Sequence, residues 1–176
     1  MPSKWLLYAL FVAGCLLLLT GCGNGTRVES DGDAFYRGTD DTGAEVVVAE
    51  KPHRIVSLGR GMDEILLGIA PPEQIAGLTS TVDDPGISCM TEEARAVSVK
   101  LKDRSPERVA ALDPDLVLAI DGIPKELVDS LRDLGIPVFV SRTPNNLEDI
   151  FARIETVGRL IGQEENAAAL IAETPG

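Results

Sequence analysis

Short runs of β-branched and other apolar residues alternate along this chain with segments whose apolar residues recur at helical spacing, and that alternation limits the available folds. Residues 54–58 read as a strand, followed by an amphipathic helix over 62–69 that stops before Pro71-Pro72. Residues 75–78 and the "AVSV" of 96–99 read as further strands, with an irregular stretch over 79–95 that turns at Asp83-Asp84-Pro85-Gly86. Ser105-Pro106-Glu107 has the order of a helix start (cap, proline, acid), and that helix runs to Leu112. "LVLAI" at 116–120 is a buried strand and "PVFV" at 137–140 the last one. Between them lies a helix over 125–134 with Leu127, Val128, Leu131 and Leu134 on one face and Gly135 at its end. Asn145 and Glu148 form a capping pair for a helix that turns Leu147, Ile150, Phe151, Ile154, Val157 and Ile161 inward and breaks at Gly162. Another helix starts over 164–173, and residues 34–49 form a hairpin around Asp-Asp-Thr-Gly. Strands separated by helices give an α/β lobe, a parallel sheet with helices on both faces.

The N-terminus has a different character. Lys4 precedes an apolar run from Trp5 to Leu19 that ends in Thr20-Gly21-Cys22, the pattern of an export signal over residues 1–21. "LTGC" resembles a lipobox, which makes Cys22 the site of lipid attachment; an ordinary secretory signal or an uncleaved anchor is the alternative. Residues 22–33 read as a flexible tether with an end-to-end reach of roughly 20 Å. Loss of residues 1–21 removes one lysine and no acid, so the formal charge moves from -12 to -13. That acidity excludes nucleic acid as a partner and argues against adsorption on anionic lipid, leaving the acyl anchor as the membrane contact. Three cysteines and one histidine, His53, supply neither a disulfide framework nor a metal cluster. Cys89 is expected as a half-buried loop thiol.

The turn Gly59-Arg60-Gly61, between a strand and a helix, has the beginning of a dinucleotide fingerprint. The position of the third glycine is Glu64, whose carboxylate would repel a pyrophosphate at the helix start. The turn nevertheless sits at the carboxyl end of a strand, where parallel sheets bind ligands. Arg60 either meets an anionic ligand or remains a solvated turn arginine; the residues alone leave both open. On a wheel of 100° per residue, Met62, Ile65, Leu66 and Ile69 share one face and Glu64 points almost opposite, toward solvent.

Taken together, "GTDDTGAEVVVAEKPHRIVSL", "DEILLGI", "LDPDLVLA", "LRDLGIPVFV" and "LEDIFARIETVGRLIG" resemble the class III periplasmic binding proteins, which serve ABC importers of ferric siderophores, haem and cobalamin. The resemblance spans roughly residues 34–173. It implies a Rossmann-like N-terminal lobe over 34–162, the start of an interlobe helix over 163–176, and a second lobe absent from this chain. It implies ligand contacts at Gly59, Arg60, Gly61, at Ser80 after the second strand, and at Lys100 and Leu101. It further implies that Glu64 docks on an arginine of the permease, and that Glu107 is a helix-start acid.

The chain departs from that pattern at Arg60-Gly61, where relatives often carry Pro-Ser, and at Lys100-Leu101, where glycines and an aromatic are common. Scarce aromatics give no support to a haem or aromatic-lined cobalamin site, whereas Arg60, Lys100 and Arg142 suit an anionic chelate. The expected function is therefore a membrane-tethered, non-enzymatic solute-binding lipoprotein or its first lobe. It would bind a metal chelate such as a ferric siderophore or cobalamin, without a cofactor, and dock on the permease from the outer face of the membrane. A truncated surface lipoprotein acting as a protein-interaction module is the alternative.

Overall fold

A computed structural model describes residues 34–174; the export signal, Cys22 and the tether lie outside the described residues. The hairpin comes first, with β1 (Tyr36–Thr39) antiparallel to β2 (Glu45–Val48). Its turn is shaped by Asp40, whose Oδ1 accepts the Thr42 amide at 2.8 Å, the Thr42 hydroxyl at 2.6 Å and the Ala44 amide at 3.0 Å. Gly43 takes a φ of 86°, a left-handed position where glycine carries no Cβ penalty.

The lobe itself is a five-stranded, all-parallel sheet. Its strands are β3 (Ile55–Ser57), β4 (Ile75–Thr79), β5 (Lys100–Leu101), β6 (Leu116–Ile120) and β7 (Val138–Ser141), in the spatial order β5-β4-β3-β6-β7. The chain therefore builds outward from β3 in one direction, then crosses back and builds outward in the other. The place where the direction reverses lies between β3 and β6, which pair in register from Ile55↔Leu116 to Ser57↔Leu118.

Alternation along the strands divides the core into two layers. Ile55, Leu116, Leu118 and Phe139 face one side. They pack there with Met62, Leu66 and Ile69 of α1 (Arg60–Ile69) and with Ile154, Val157 and Ile161 of α5 (Leu147–Ile161). Val56, Val117, Ala119, Val138 and Val140 face the other side. Covering them are Val109 of α3 (Pro106–Ala110) and Val128 and Leu131 of α4 (Lys125–Asp133). Each of these side chains larger than alanine, fully withdrawn from water, contributes roughly 1.5–3 kcal/mol. A short α2 (Thr91–Ala94) and a final α6 (Glu164–Glu173) complete the set; α6 packs against α5 where Gly158 and Ala167 meet.

Several boundaries differ from the sequence reading. The 96–99 run is not a strand: Val97 is buried in the core beyond α2, and pairing with β4 begins only at Lys100. The 79–95 stretch contains a 3-10 turn (Ser80–Asp83) as well as α2. Helix α3 ends at Ala110; Ser105 stands at its N-cap with Pro106 next, as expected, but makes no side-chain cap bond, its amide and hydroxyl donating to Asp103 instead. Leu134 is 62% exposed, because it stands past the last turn of α4, where the wheel no longer places side chains and Gly135 (φ 79°) redirects the chain. The cap of α5 is Asn146, accepting the Asp149 amide at 2.8 Å, one residue beyond the expected pair. Two Asn-to-acid pairs share the same spacing there, and spacing alone does not separate them. Gly162 does end α5, with φ 67°.

Candidate functional site

The carboxyl ends of β3, β6 and β7 open into two adjoining depressions. One, of about 560 Å³, is lined by Arg60, Gly61, Glu64, Ile120, Arg153 and neighbours on α5 and α6. The other, of about 280 Å³, lies over β7 and is lined by Asp41, Ser141, Arg142, Asp149 and Arg153 among others. The position of the larger one follows from the sheet order, since crevices form where the strand order reverses.

Gly59 makes the approach of loop to strand possible. A Cβ at Gly59 would stand 2.9 Å from Ile120 Cγ2, so any larger residue would push the head of α1 away from the end of β6. The turn that looked like a phosphate cradle is thus a close-packing turn. Gly61 keeps a second approach open, since a Cβ there would come within 3.3 Å of Arg153 Nη1.

Arg60 is exposed; its Nη1 donates to the Ile87 carbonyl at 3.2 Å and lies 3.7 Å from Glu64. Glu64 does not point freely into solvent as the wheel implies: its side chain is 27% exposed and forms part of the depression wall beside Arg60. Ser80 opens the 3-10 turn at the end of β4 and is half-buried. Lys100 and Leu101 are not brought to the depressions. Lys100 Nζ donates to the carbonyls of Ala94 at 2.9 Å and Val97 at 2.5 Å, tying down the end of α2, and Leu101 is buried in the second core layer. Arg142 stands on the rim with its Nη2 donating to the Asp41 carbonyl at 3.0 Å. Glu107 is an exposed first-turn acid of α3, and Cys89 is exposed instead of half-buried.

Three residues at this end of the sheet escape the sequence reading. Asp63, in the first turn of α1, is fully buried and bonds Thr79 at the end of β4. Arg104 Nη1 donates to the Leu58 carbonyl at 3.0 Å, directly over the end of β3. Arg153, half-buried on α5, donates through Nη2 to the Arg142 carbonyl. Burial pulls the Arg153 pKa down from the ordinary guanidinium range, against the opposing pull of Asp41, Asp121 and Asp149. Asp63 and Arg153 both lie roughly 90–110° from the centre of their helix's apolar face, a boundary that a wheel assigns to neither core nor solvent.

The charges here follow a rule. Carboxylates at this end are taken up by loop donors: Asp41 by the Arg142 amide at 2.7 Å, Asp84 by the Gly86 amide at 2.8 Å, Asp103 by the Ser105 amide at 2.9 Å and Asp121 by the Thr143 hydroxyl at 2.8 Å. The guanidiniums of Arg104, Arg142 and Arg153 instead rest on main-chain carbonyls, which leave their charge intact, and Arg60 divides its contacts between the Ile87 carbonyl and the Glu64 carboxylate.

A family model described as "Periplasmic binding protein" matches residues 55–174. An uncharacterized ABC transporter substrate-binding lipoprotein, YvrC, of Bacillus subtilis is 26% identical over 88% of this chain and 51% of its own length. A cobalamin-binding protein of Halobacterium salinarum is 28% identical over 76% of this chain and 36% of its own. Among solved structures, a periplasmic solute binding protein from Veillonella parvula superposes with a TM-score of 0.63 at 26% identity, covering 78% of this chain and 44% of that one. The chain thus spans about half or less of the length of the relatives it matches.

Proposed function

The chain belongs to the periplasmic binding protein family, and from that membership we propose that it forms the first lobe of an exported, lipid-anchored solute receptor serving an ABC importer. Its cargo is a metal chelate of the ferric-siderophore or cobalamin class, held without covalent chemistry. The observation that carries this reading is the depression across the β3–β6 reversal, walled by Arg60, Gly61 and Glu64. A ligand there touches a rim supplied by the ends of several strands, which is how one scaffold accommodates different cargo. Arg60 and Gly61 are the proposed contacts on this side; Gly59, buried against Ile120, shapes the turn, Ser80 lines neither depression, and Lys100 and Leu101 serve the scaffold. The helix α6 is the beginning of the link to a second lobe, and residues 1–21 and Cys22 supply export and anchorage.

Glu64 is the proposed docking group. It stands at the rim on a rigid helix, and its partner Arg60, at 3.7 Å across a partly solvated gap, is exchangeable for an arginine of a permease. Surface pairs of this kind are worth only about 0–1 kcal/mol, so exchange costs little. The test is uptake and binding measured side by side in cells carrying the complete receptor and its permease. Glu64→Arg should abolish uptake even at ligand concentrations that saturate the purified variant, so that any change in affinity at the depression is separated from the loss of docking. Normal uptake by that variant would remove the docking role, and a receptor that binds neither a ferric chelate nor cobalamin would remove the function.

A further inference from the structure

We infer that the cargo presents an oxyanion to this lobe, and that Arg153, assisted by Arg60, receives it. The inference rests on the receptor reading above and names the chemistry of the same site.

Arg153 lines both depressions, and it alone among the arginines at this end of the sheet does so. No carboxylate among the described residues lies within ion-pair distance of it; the arginines that are so paired are Arg37, Arg60, Arg95 and Arg132. The three acids that surround it at longer range already accept other donors. Asp41 takes the Arg142 amide and the Ser141 hydroxyl, Asp121 takes the Thr143 hydroxyl, and Asp149 takes the Asn145 amide. They favour the charged guanidinium and offset part of its field, but none of them occupies it. The bond from Nη2 to the Arg142 carbonyl fixes the plane of the fork, and Nη1 is left on the side of Gly61, where the missing Cβ preserves clearance.

A half-buried guanidinium held in one orientation and unpaired is matched by a planar, two-oxygen acceptor, which a carboxylate supplies and a neutral corrinoid amide does not. Arg60 approaches the same depression from α1, with part of its charge offset by Glu64. Most of the remaining wall is apolar, with Ile65, Ile120, Ile150, Ile154 and Leu170 contributing beside Thr143 and Thr174. Such a wall strengthens a charge-assisted bond by excluding water.

The full chain, isotopically labelled, is titrated with gallium(III) citrate, a diamagnetic analogue of a ferric carboxylate chelate, and with dicyanocobinamide, a corrinoid without an acidic group. Gallium citrate should shift the Arg153 Nε–Hε and Gly61 amide signals and bind at least about tenfold more tightly than the corrinoid, the difference expected of a charge-assisted hydrogen bond. Arg153→Gln should lose about tenfold or more in gallium citrate affinity, and Arg153→Lys less, each with an otherwise unchanged amide spectrum. Equal affinity of wild type and a natively folded Arg153→Gln for gallium citrate would overturn the inference. So would tighter binding of the corrinoid, which would leave the receptor reading standing. A chain that responds to neither probe would likewise overturn the inference, whereas the receptor reading stands or falls with the complete receptor.

Discussion

Asp63 and Thr79 are locked together across the head of the sheet: the Thr79 amide donates to Asp63 Oδ1 at 3.2 Å, and the Thr79 hydroxyl donates to Oδ2. One partner opens α1 and the other closes β4, so a single buried carboxylate ties the helix head that borders the depression to the end of the neighbouring strand. Burial pushes the Asp63 carboxyl up to about 6 from its ordinary 3.8, although the donors Thr79 and Ser57 pull the other way.

That shift fixes the sign of a pH dependence. An acid held above its unfolded value binds more protons folded than unfolded, so its contribution is complete below about pH 4 and is lost as pH rises through about 6. The loss amounts to about 3 kcal/mol. Asp63→Asn keeps an oxygen for the Thr79 amide and offers its own N–H to the hydroxyl, so it should flatten this dependence. Urea unfolding at about pH 4 and about pH 7.5 would show it, and parallel pH profiles for the two proteins would contradict it.

Asp40 behaves oppositely. Burial works against its charge, but hydrogen bonds from Thr42, Ala44 and Val140 more than reverse this and hold its carboxyl below 3.8. Its stabilising contribution is therefore present above the ordinary carboxylate range and is lost as pH falls through the lowered value. Asp40→Ala should cost about 3 kcal/mol, by leaving Arg132 and several amides without their acceptor. Amide exchange in β1 and β2 should accelerate more than in β3; uniform acceleration would show that the hairpin is not separately anchored.

Gly158 admits no side chain. A Cβ there would sit 2.7 Å from Ala167 Cβ. Gly158→Ala should cost about 1–3 kcal/mol through overpacking, and Ala167→Gly in the same chain should recover part of it. Additive losses in thermal unfolding of the double variant would show that the two positions do not meet.

Leu131 and Leu134 provide an internal contrast on one helix, since Leu131 is fully buried and Leu134 is 62% exposed. Leu131→Ala should lose about 2–5 kcal/mol and Leu134→Ala no more than about 0.5 kcal/mol. Equal losses would place Leu134 in the core after all.

Legibility followed the range of the interactions involved. Strands β3, β6 and β7 and helices α1, α5 and α6 were readable because burial on one or two faces writes a period into the residues themselves. The hairpin was readable from Asp-Asp-Thr-Gly, whose turn chemistry is local. The structural bonds of Lys100, to the carbonyls of Ala94 and Val97, were not legible because they depend on a bend that no spacing rule announces. Arg153 was invisible for a related reason: its neighbours Gly61 and Arg142 come from two other parts of the chain, assembled only when α1, α5 and β7 converge. Glu64 was found by its periodicity, yet its proximity to Arg60 was not.

The outer margin of β7 has a consequence for behaviour in concentrated solution. The Val138 carbonyl accepts Arg132 at 3.0 Å, the Val140 amide donates to Asp40 at 3.3 Å, and the Val140 carbonyl accepts the Asp41 amide at 3.1 Å. At the opposite margin β5 offers only two residues. A foreign strand would find its hydrogen-bonding positions taken on one side and too few on the other. Crowded copies of this lobe are thereby protected from stitching their sheets together into aggregates.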